Sequence, residues 1–236
     1  MRSEADQPVL LYEDNHCLVV LKPFNRLSQS DDTGDSNLLD ELRAFIGVRH
    51  AKPGGVYLGL VHRLDRPAGG VMVVARTSKG ASRLSAQFRE RSVRKVYRVG
   101  VQGVLEPGLE LRLEHWLRKD TARNRSQVRE TAGAAGEGWL PARLSLRVLA
   151  NDPERSELDV ELETGRPHQI RAQLAAIGHP VLGDLRYGAR EALPGRNIAL
   201  WCRLLGFRQV VTGQWIESLA LPRARDMGLT RLTPLP

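Results

Sequence analysis

The densest cluster of chemically informative residues lies at 59–75, which read GLVHRLDRPAGGVMVVA. The uncharged apolar run at 71–75 predicts a strand that is buried on both faces. The proline and the two glycines before it predict a turn. Asp65 therefore falls in a turn between two apolar segments, at the entrance of a buried strand.

The chemistry around Asp65 allows two interpretations. Arg63 and Arg66 flank it in the sequence, so its carboxylate should stay ionised if either guanidinium folds back toward it. An ionised aspartate on a rigid turn can act as a nucleophile, but it can equally cap a turn or pair with an arginine. His62 likewise allows two interpretations, as a base or as a hydrogen-bonded structural residue.

Further strands and helices are predicted on both sides of this turn. Apolar runs and strict alternation indicate strands, and apolar residues three and four apart indicate helices. Strands that follow one another with few intervening helices indicate an α+β fold, with a mixed, mainly antiparallel central sheet and flanking helices. The predicted strands are 17–21, 71–75, 96–101, 143–148, 158–162, 198–204, 207–211 and 214–219, and the predicted helices are 37–46 (ending at Gly47), one beginning near 78, and 167–177.

Composition excludes several protein classes. The chain has 236 residues, 42% of them apolar, and 2 cysteines, which argues against a disordered chain and against a disulfide scaffold. No linker divides it, so one domain over 1–236 with a core at about 9–221 is expected, and the Gly/Ala-rich residues 131–138 should form a flexible loop. The net charge of +8 favours a polyanionic partner, although basic proteins without one are common.

The cysteines and the N-terminal sequence limit the expected cellular location of the protein. Cys17 and Cys202 lie far apart without CxxC spacing, which argues against a thiol redox motif or a structural zinc site and is expected of a reducing cytoplasm. The acidic N-terminus is unlike a signal peptide, and the apolar runs are too short to cross a membrane. We therefore expect a cytoplasmic protein without a membrane partner.

A second segment, residues 164–171, reads TGRPHQIR. Pro167 suits the first position of the predicted helix and Gly178 its C-cap. An arginine such as Arg166, placed just before a helix, is unfavourable at the positive end of the dipole unless an anion lies nearby. The anion could be any surface glutamate, a site carboxylate or a phosphate. Arg171 would widen the same basic patch.

A third feature is a run of basic residues around Tyr97. Basic side chains interleaved with an aromatic ring are typical of surfaces that bind single-stranded or flipped-out nucleotides. A solvated helix end followed by a core tyrosine is the equally weighted alternative. The run comprises Arg89, Arg91, Arg94, Lys95 and Arg98, followed by Arg112, Arg118, Lys119, Arg123, Arg125 and Arg129.

Together these segments resemble the RluA family of RNA pseudouridine synthases. That family's signature is HRLD, two variable residues, Thr-Ser-Gly and an apolar strand ending in Ala-Lys, and its Lys-x-Tyr, Gly-Arg-x-His-Gln-Ile-Arg and Gly-Asp-x-x-Tyr-Gly motifs follow here in order. The opening LYEDNHCLVVLKP is similar to the family's first strand, which ends in Lys-Pro. The matching residues are His62, Arg63, Leu64, Asp65, Gly70, Ala75, Lys95, Tyr97, Gly165, Arg166, His168, Gln169, Ile170, Arg171, Gly183, Asp184, Tyr187 and Gly188.

The resemblance implies a pseudouridine synthase fold and an isomerase that converts a specific uridine of rRNA or tRNA to pseudouridine by base flipping. It implies Asp65 as the nucleophile, Arg166 as its partner, and Tyr97 as a ring against the uracil that also assists proton removal. Attack at uracil C6 and attack at ribose C1′ both stay open. No net oxidation occurs, so no redox cofactor is expected, and no metal. The implied substrate-binding residues are His62, Arg63, Arg94, Lys95, His168 and Arg171.

Departures from the family pattern concern the turn and the N-terminus. Ala68 and Gly69 replace the usual Thr-Ser, so hydrogen bonds that brace the turn could be missing or supplied by the backbone, and Arg76 replaces the Lys. The catalytic motifs begin close to Met1, so no N-terminal S4-type RNA-binding domain is expected. A compact RNA stem-loop as substrate and a monomeric enzyme are the resulting expectations.

Two rival functions remain at this point. A hydrolase or nuclease could use His62, Asp65 and His168, but clustered carboxylates and HExxH-like spacing are lacking. A catalytically inactive RNA-binding relative of the same fold is the other rival, which the replacement of Thr-Ser keeps open and the joint presence of Asp65, Tyr97 and Arg166 opposes.

Overall fold

The computed structural model describes residues 7–51, 55–132 and 137–229. The chain groups into two compact units. The first unit comprises Met1–Arg94 and Cys202–Ala220, and the second comprises Lys95–Trp201 and Leu221–Pro236. The single domain expected from the sequence stays a prediction. Part of the expected loop at 131–138 lies outside the described residues.

The first unit is built on a sheet in the order β1-β2-β4-β10, with β3 also paired to β4 and β11 to β10. The pairs β1–β2, β2–β4, β3–β4 and β10–β11 are antiparallel. Its central strand β4 is buried along its whole length, as the apolar run predicts. Helix α2 packs Leu84, Ala81 and Phe88 against this sheet, which confirms the predicted inward face. The elements are β1 Leu10–Glu13, β2 Cys17–Lys22, α1 Leu38–Arg49, β3 Gly59–Leu60, β4 Gly69–Ala75, α2 Ser78–Arg89, β10 Leu200–Arg208 and β11 Trp215–Leu219.

The second unit contains an antiparallel sheet in the order β5-β9-β8-β6-β7. Strands β8 and β9 alternate buried and half-exposed side chains, as their sequence alternation predicts. The sequence analysis did not predict β6 and β7, because their many charged residues mask the alternation. The elements are β5 Arg94–Gln102, β6 Glu110–Asp120, β7 Arg125–Arg129, β8 Leu140–Asn151, β9 Arg155–Leu162, helix α3 Gln169–Ala176, and short 3-10 turns at Leu185–Tyr187, Pro194–Arg196 and Ala224–Met227.

The α+β class with a mainly antiparallel sheet is therefore confirmed within each unit. None of the helices in the described part of the chain is both long and apolar enough to cross a membrane.

Helix ends follow side-chain caps where the sequence provides them. Asn37 accepts a hydrogen bond from the backbone N–H of Asp40 at 3.0 Å and so begins α1. The predicted end of this helix at Gly47 is wrong. The helix runs on to Arg49 because the N–H of His50 still donates to the carbonyl of Ile46, and one interior glycine costs only about 1 kcal/mol.

The two strands predicted at 198–204 and 207–211 form one strand instead, β10. The strand continues through Gly206, which pairs with Glu217 of β11. The ring of Trp215 lies so close to Gly206 that a side chain there would not fit. The turn comes later, where the Gln209 side chain accepts hydrogen bonds from the N–H groups of Val211 and Thr212 at 2.6 and 2.7 Å. The predicted hairpin into β11 is confirmed.

Gly70 provides a test of this packing. Its φ is +121°, and a Cβ at this position would lie 2.3 Å from the carbonyl oxygen of Cys202. We expect Gly70→Ala to lower the free energy of unfolding by more than about 4 kcal/mol. Gly213→Ala is the matched control, because Gly213 also has positive φ but open space around it; it should cost only about 1–2 kcal/mol. Urea denaturation measures both, and equal losses would contradict the steric explanation.

Candidate active site

The turn that carries Asp65 is closed by the backbone. The N–H of Ala68 donates to the carbonyl of Asp65 at 3.0 Å, and Gly69 already belongs to β4. Ala68 itself is buried, with 1% of its surface exposed. The turn thus keeps a defined shape without the hydroxyls of the usual Thr-Ser pair. The Asp65 side chain is half-buried.

His62 has a structural position beside this turn. Its Nε2 accepts a hydrogen bond from the N–H of Val73 at 3.1 Å, and its ring stacks on Phe88 with centroids 4.6 Å apart. The nitrogen that accepts from the backbone is not available as a base, which weighs against the hydrolase alternative. His62 instead ties β4 to α2, while the neighbouring Arg63 is exposed.

The basic run around Tyr97 divides into side chains of different kinds. Tyr97 lies on β5 opposite Val160 and is 7% exposed. Arg98 binds the carboxylates of Glu157 and Asp159 at 2.7 and 3.0 Å. Because Arg98 already pairs with two carboxylates, it contributes little free positive charge.

The two basic neighbours of Tyr97 that were predicted to bind substrate also differ. Arg94 is exposed and lies 3.6 Å from a carboxylate oxygen of Glu217. Lys95 is buried, and its Nζ lies beside Gly165, at 3.7 Å from where a Cβ would stand. Lys95 therefore lies next to the Arg166 turn.

Arg166 is held by its own segment. Its N–H donates to the side-chain oxygen of Gln169 at 3.0 Å, and its Nε donates to the carbonyl of Pro141 at 3.0 Å. The same Gln169 oxygen accepts from the hydroxyl of Thr164 at 2.8 Å. Gln169 thus fixes the backbone of Arg166, and the carbonyl of Pro141 on β8 orients its guanidinium.

The predicted helix start at Pro167 is wrong. Helix α3 begins at Gln169, after His168, which has the left-handed φ of 51°. The cause is tertiary: the carbonyl of Pro167 accepts a hydrogen bond from the hydroxyl of Ser126 at 2.6 Å, which bends the chain away from helical geometry. The C-terminal signal is confirmed, since Gly178 has φ +85° just after α3.

The side chain of His168 is held through Tyr187, which contacts Ser126 on strand β7. Its Nδ1 lies 3.0 Å from the hydroxyl of Tyr187, which also accepts from the N–H of Ser126 at 2.6 Å. Burial raises the pKa of the Tyr187 hydroxyl above its usual value. Substrate contact by the half-buried His168 stays a prediction.

A cavity of about 410 Å³ opens beside Arg166, with Arg118 and Lys119 of β6 also on its wall. The guanidiniums of Arg118 and Arg129 lie 4.8 and 4.3 Å from the ring of Trp139. The contact with Trp139 holds Arg118 on the cavity wall, and Arg129 binds the same ring. From the sequence, these arginines were predicted only as part of a general basic run.

Arg171 is the one predicted substrate contact that this geometry argues against. It forms a two-point ion pair with Asp184 at 2.6 and 2.9 Å, with 4% and 2% of the two side chains exposed. The guanidinium also lies 5.0 Å from the ring of Tyr187. Enclosed in this way, Arg171 stabilises the packing of α3 and does not widen a surface patch.

Asp65 lies in the first unit, whereas Tyr97 and Arg166 lie in the second. That the three act together remains a prediction. Within the described residues, no group of three or more His, Cys, Asp or Glu side chains could hold a metal ion.

Comparison with known proteins identifies the family. A family model described as RNA pseudouridylate synthase matches residues 16–176, which include Asp65, Tyr97 and Arg166. The chain belongs to this family. The resemblance drawn from the motifs is thus confirmed, and with it the class of isomerases that convert uridine in RNA to pseudouridine; the inactive alternative is not favoured.

Named relatives of this chain support the same family assignment. A protein named ribosomal large subunit pseudouridine synthase D from Zymomonas mobilis is 30% identical over 218 residues, covering 88% of this chain and 67% of that one. A protein of the same name from Xylella fastidiosa is 34% identical over 234 residues, covering 95% and 66%. The chain spans from about half to two thirds of the length of such relatives.

Solved structures support the fold of this pseudouridine synthase. A human protein called RNA pseudouridylate synthase domain containing 4 superposes with a TM-score of 0.78 at 21% identity, covering 95% of this chain and 94% of that one. Human RNA pseudouridylate synthase domain containing 1 gives 0.76 at 24% identity, covering 100% and 91%. At this identity the likeness establishes the fold alone.

The buried pair of Arg171 and Asp184 can be tested directly. Arg171→Met leaves the Asp184 carboxylate buried without its partner, so it should lower the free energy of unfolding by about 3–5 kcal/mol. Arg147→Met is the control, because Arg147 and Glu110 form a largely exposed pair that should be worth less than about 1 kcal/mol. Urea denaturation measures stability, and RNA affinity of the folded variant should be unchanged. Normal stability with weakened RNA binding would restore Arg171 as a substrate contact.

Proposed function

We propose that this protein isomerises a uridine of large-subunit ribosomal RNA to pseudouridine, with Asp65 as the nucleophile. The observation that carries the proposal is the Asp65 turn itself, a backbone-closed turn at the entrance of the buried strand β4, inside the segment that matches the family. The choice of ribosomal RNA is supported by the names of the relatives at 30–34% identity. A transfer RNA substrate is the alternative that the experiment must separate.

The reaction moves a bond without net oxidation. The uridine leaves its stack, which costs a few kcal/mol, and the Asp65 carboxylate adds either to uracil C6 or to ribose C1′. On either route the N1–C1′ bond breaks, the uracil turns and a C5–C1′ bond forms. The bond between Asp65 and the nucleotide then breaks, and the proton lost from C5 is balanced by one gained at N1. Because the product has the same atoms as the substrate, no oxidant or reductant is consumed, and we propose that no cofactor or metal takes part.

Tyr97 and Arg166 have distinct proposed roles. Tyr97 is largely buried on β5, so its ring offers a firm surface against the uracil, and its hydroxyl assists removal of the C5 proton. Arg166, whose guanidinium is oriented by the carbonyl of Pro141, is the proposed partner of the Asp65 carboxylate. A cation beside a carboxylate favours its charged, nucleophilic form.

RNA binding is assigned to the cavity wall and to exposed cations. Arg118 and Lys119 line the cavity beside Arg166, where they can neutralise phosphates next to the flipped nucleotide. Arg63 and Arg94, which are exposed in the first unit, are further proposed RNA contacts. We further propose a compact stem-loop as the target and a monomer in the cytoplasm as the working state.

The nucleophile is tested with Asp65→Asn, which keeps the size of the side chain but removes its charge. Wild type, without added metal or cofactor, should form pseudouridine in large-subunit RNA from a strain lacking the enzyme, mapped by carbodiimide-primer extension. Asp65→Asn should form none while its RNA affinity stays within about twofold. Pseudouridine formed by the variant would remove Asp65 from the mechanism, and product found only in transfer RNA would replace the proposed substrate.

The RNA contact is tested by the salt dependence of binding. In the double variant Arg118→Gln, Lys119→Gln, log affinity should fall less steeply with log salt. The magnitude of the slope should drop by about 1.4, or about 0.7 for each phosphate that is no longer neutralised. The control Arg112→Gln, Arg147→Gln removes the same charge from arginines that face the carboxylates of Glu163 and Glu110. Its slope should change little, and an equal change in both variants would reject the cavity wall as the RNA contact.

A further inference from the structure

Lys22 is a fully buried lysine at the end of β2, with none of its surface exposed. Its Nζ lies within hydrogen-bond distance of three backbone carbonyls, those of Pro23 at 3.0 Å, Arg26 at 2.6 Å and Arg66 at 3.1 Å. An ammonium group has three donors, so each one finds an acceptor. Burial of an ammonium is costly unless it is paired in this way, which indicates a specific purpose for this side chain.

Ser28 makes a second contact from the same segment. Its hydroxyl donates to the carbonyl of Leu64 at 3.0 Å, and the residue is 5% exposed. Leu64 and Arg66 are the two neighbours of Asp65. Residues 22–28 therefore hold the backbone carbonyl on each side of Asp65, one through an ammonium and one through a hydroxyl.

Further contacts keep residues 22–28 and the turn together. The Arg66 side chain donates to the Asn25 side chain at 3.2 Å and pairs with Asp35 at 2.7 Å. Lys22 is also the register partner of Gly70 in the pairing of β2 with β4. The backbone on both sides of Asp65 is thus tied to a strand end that cannot shift without breaking the sheet.

The charge of Lys22 is coupled to Asp65. Burial lowers the pKa of Lys22 to about 7, the negative charge of Asp65 opposes this, and Arg26 and Arg66 add to the lowering. The negative charge of Asp65 thus favours the protonated form of Lys22, the form that donates to the three carbonyls.

We propose that Lys22 and Ser28 are positioning residues that hold the Asp65 turn in its reactive geometry. The inference rests on the proposed function, because holding this turn matters for the reaction only if Asp65 is the nucleophile. We call the contacts of Lys22 and Ser28 with the turn the clamp. The clamp acts through the backbone of Leu64 and Arg66 and touches no substrate. It also explains how the turn is braced although Ala68 and Gly69 carry no hydroxyl.

The test compares Lys22→Met and Ser28→Ala with Lys79→Met and Ser36→Ala. The controls remove the same groups from exposed positions, Lys79 on α2 and Ser36, whose hydroxyl contacts the Arg26 side chain. Single-turnover pseudouridine formation, KM for the RNA, and thermal unfolding followed by circular dichroism are measured for each. Both clamp variants should lower kcat by about tenfold or more at a temperature where they are folded, with KM within about twofold. The controls should match wild type.

Each outcome decides the inference. If folded Lys22→Met and Ser28→Ala keep kcat within about twofold of wild type, or if they raise KM instead of lowering kcat, the clamp as proposed is overturned. If Lys22→Met does not fold, Ser28→Ala decides the positioning role alone. Failure of the proposed function shows differently, as pseudouridine formation by Asp65→Asn or none by wild type, and it would overturn the clamp as well.

Discussion

Pairing of β2 with β4 is the constraint on which the first unit depends. Strand β4 is buried along its whole length, so its backbone groups must find partners in the neighbouring strands. At one end of this pairing Lys22 faces Gly70, and Gly70 packs against the backbone of Cys202 so closely that a side chain would not fit. The turn that carries Asp65 leads directly into this end, so its position follows from the packing of the sheet.

Positive charge in this protein has several different uses, which the net value of +8 conceals. Lys22 and Arg171 are buried, where each is satisfied by oxygen atoms of the chain itself. Arg98 pairs with two carboxylates. Arg118 and Arg129 lie over an indole ring beside a cavity. Only cations that remain near solvent can neutralise phosphates, so the location of each cation matters more than their number.

The spacing of apolar residues correctly predicted the elements that form by burying their own side chains. The apolar run of β4, the inward face of α2 and the alternation of β8 and β9 were confirmed, because burial of apolar side chains depends directly on their spacing. The start of α3 was predicted wrongly. There a hydrogen bond from Ser126, far away in the sequence, overrides the preference of Pro167 for a first helical turn.

The family, the class of reaction and the turn that carries Asp65 can be read from the sequence, because they depend on short motifs whose residue types and order are visible there. The partners of the buried charges depend instead on the tertiary fold. Lys22 meets Arg66 across 44 residues and Ser28 meets Leu64 across 36. No periodicity encodes such contacts, since they arise only when folding brings distant segments together and water is excluded from between them.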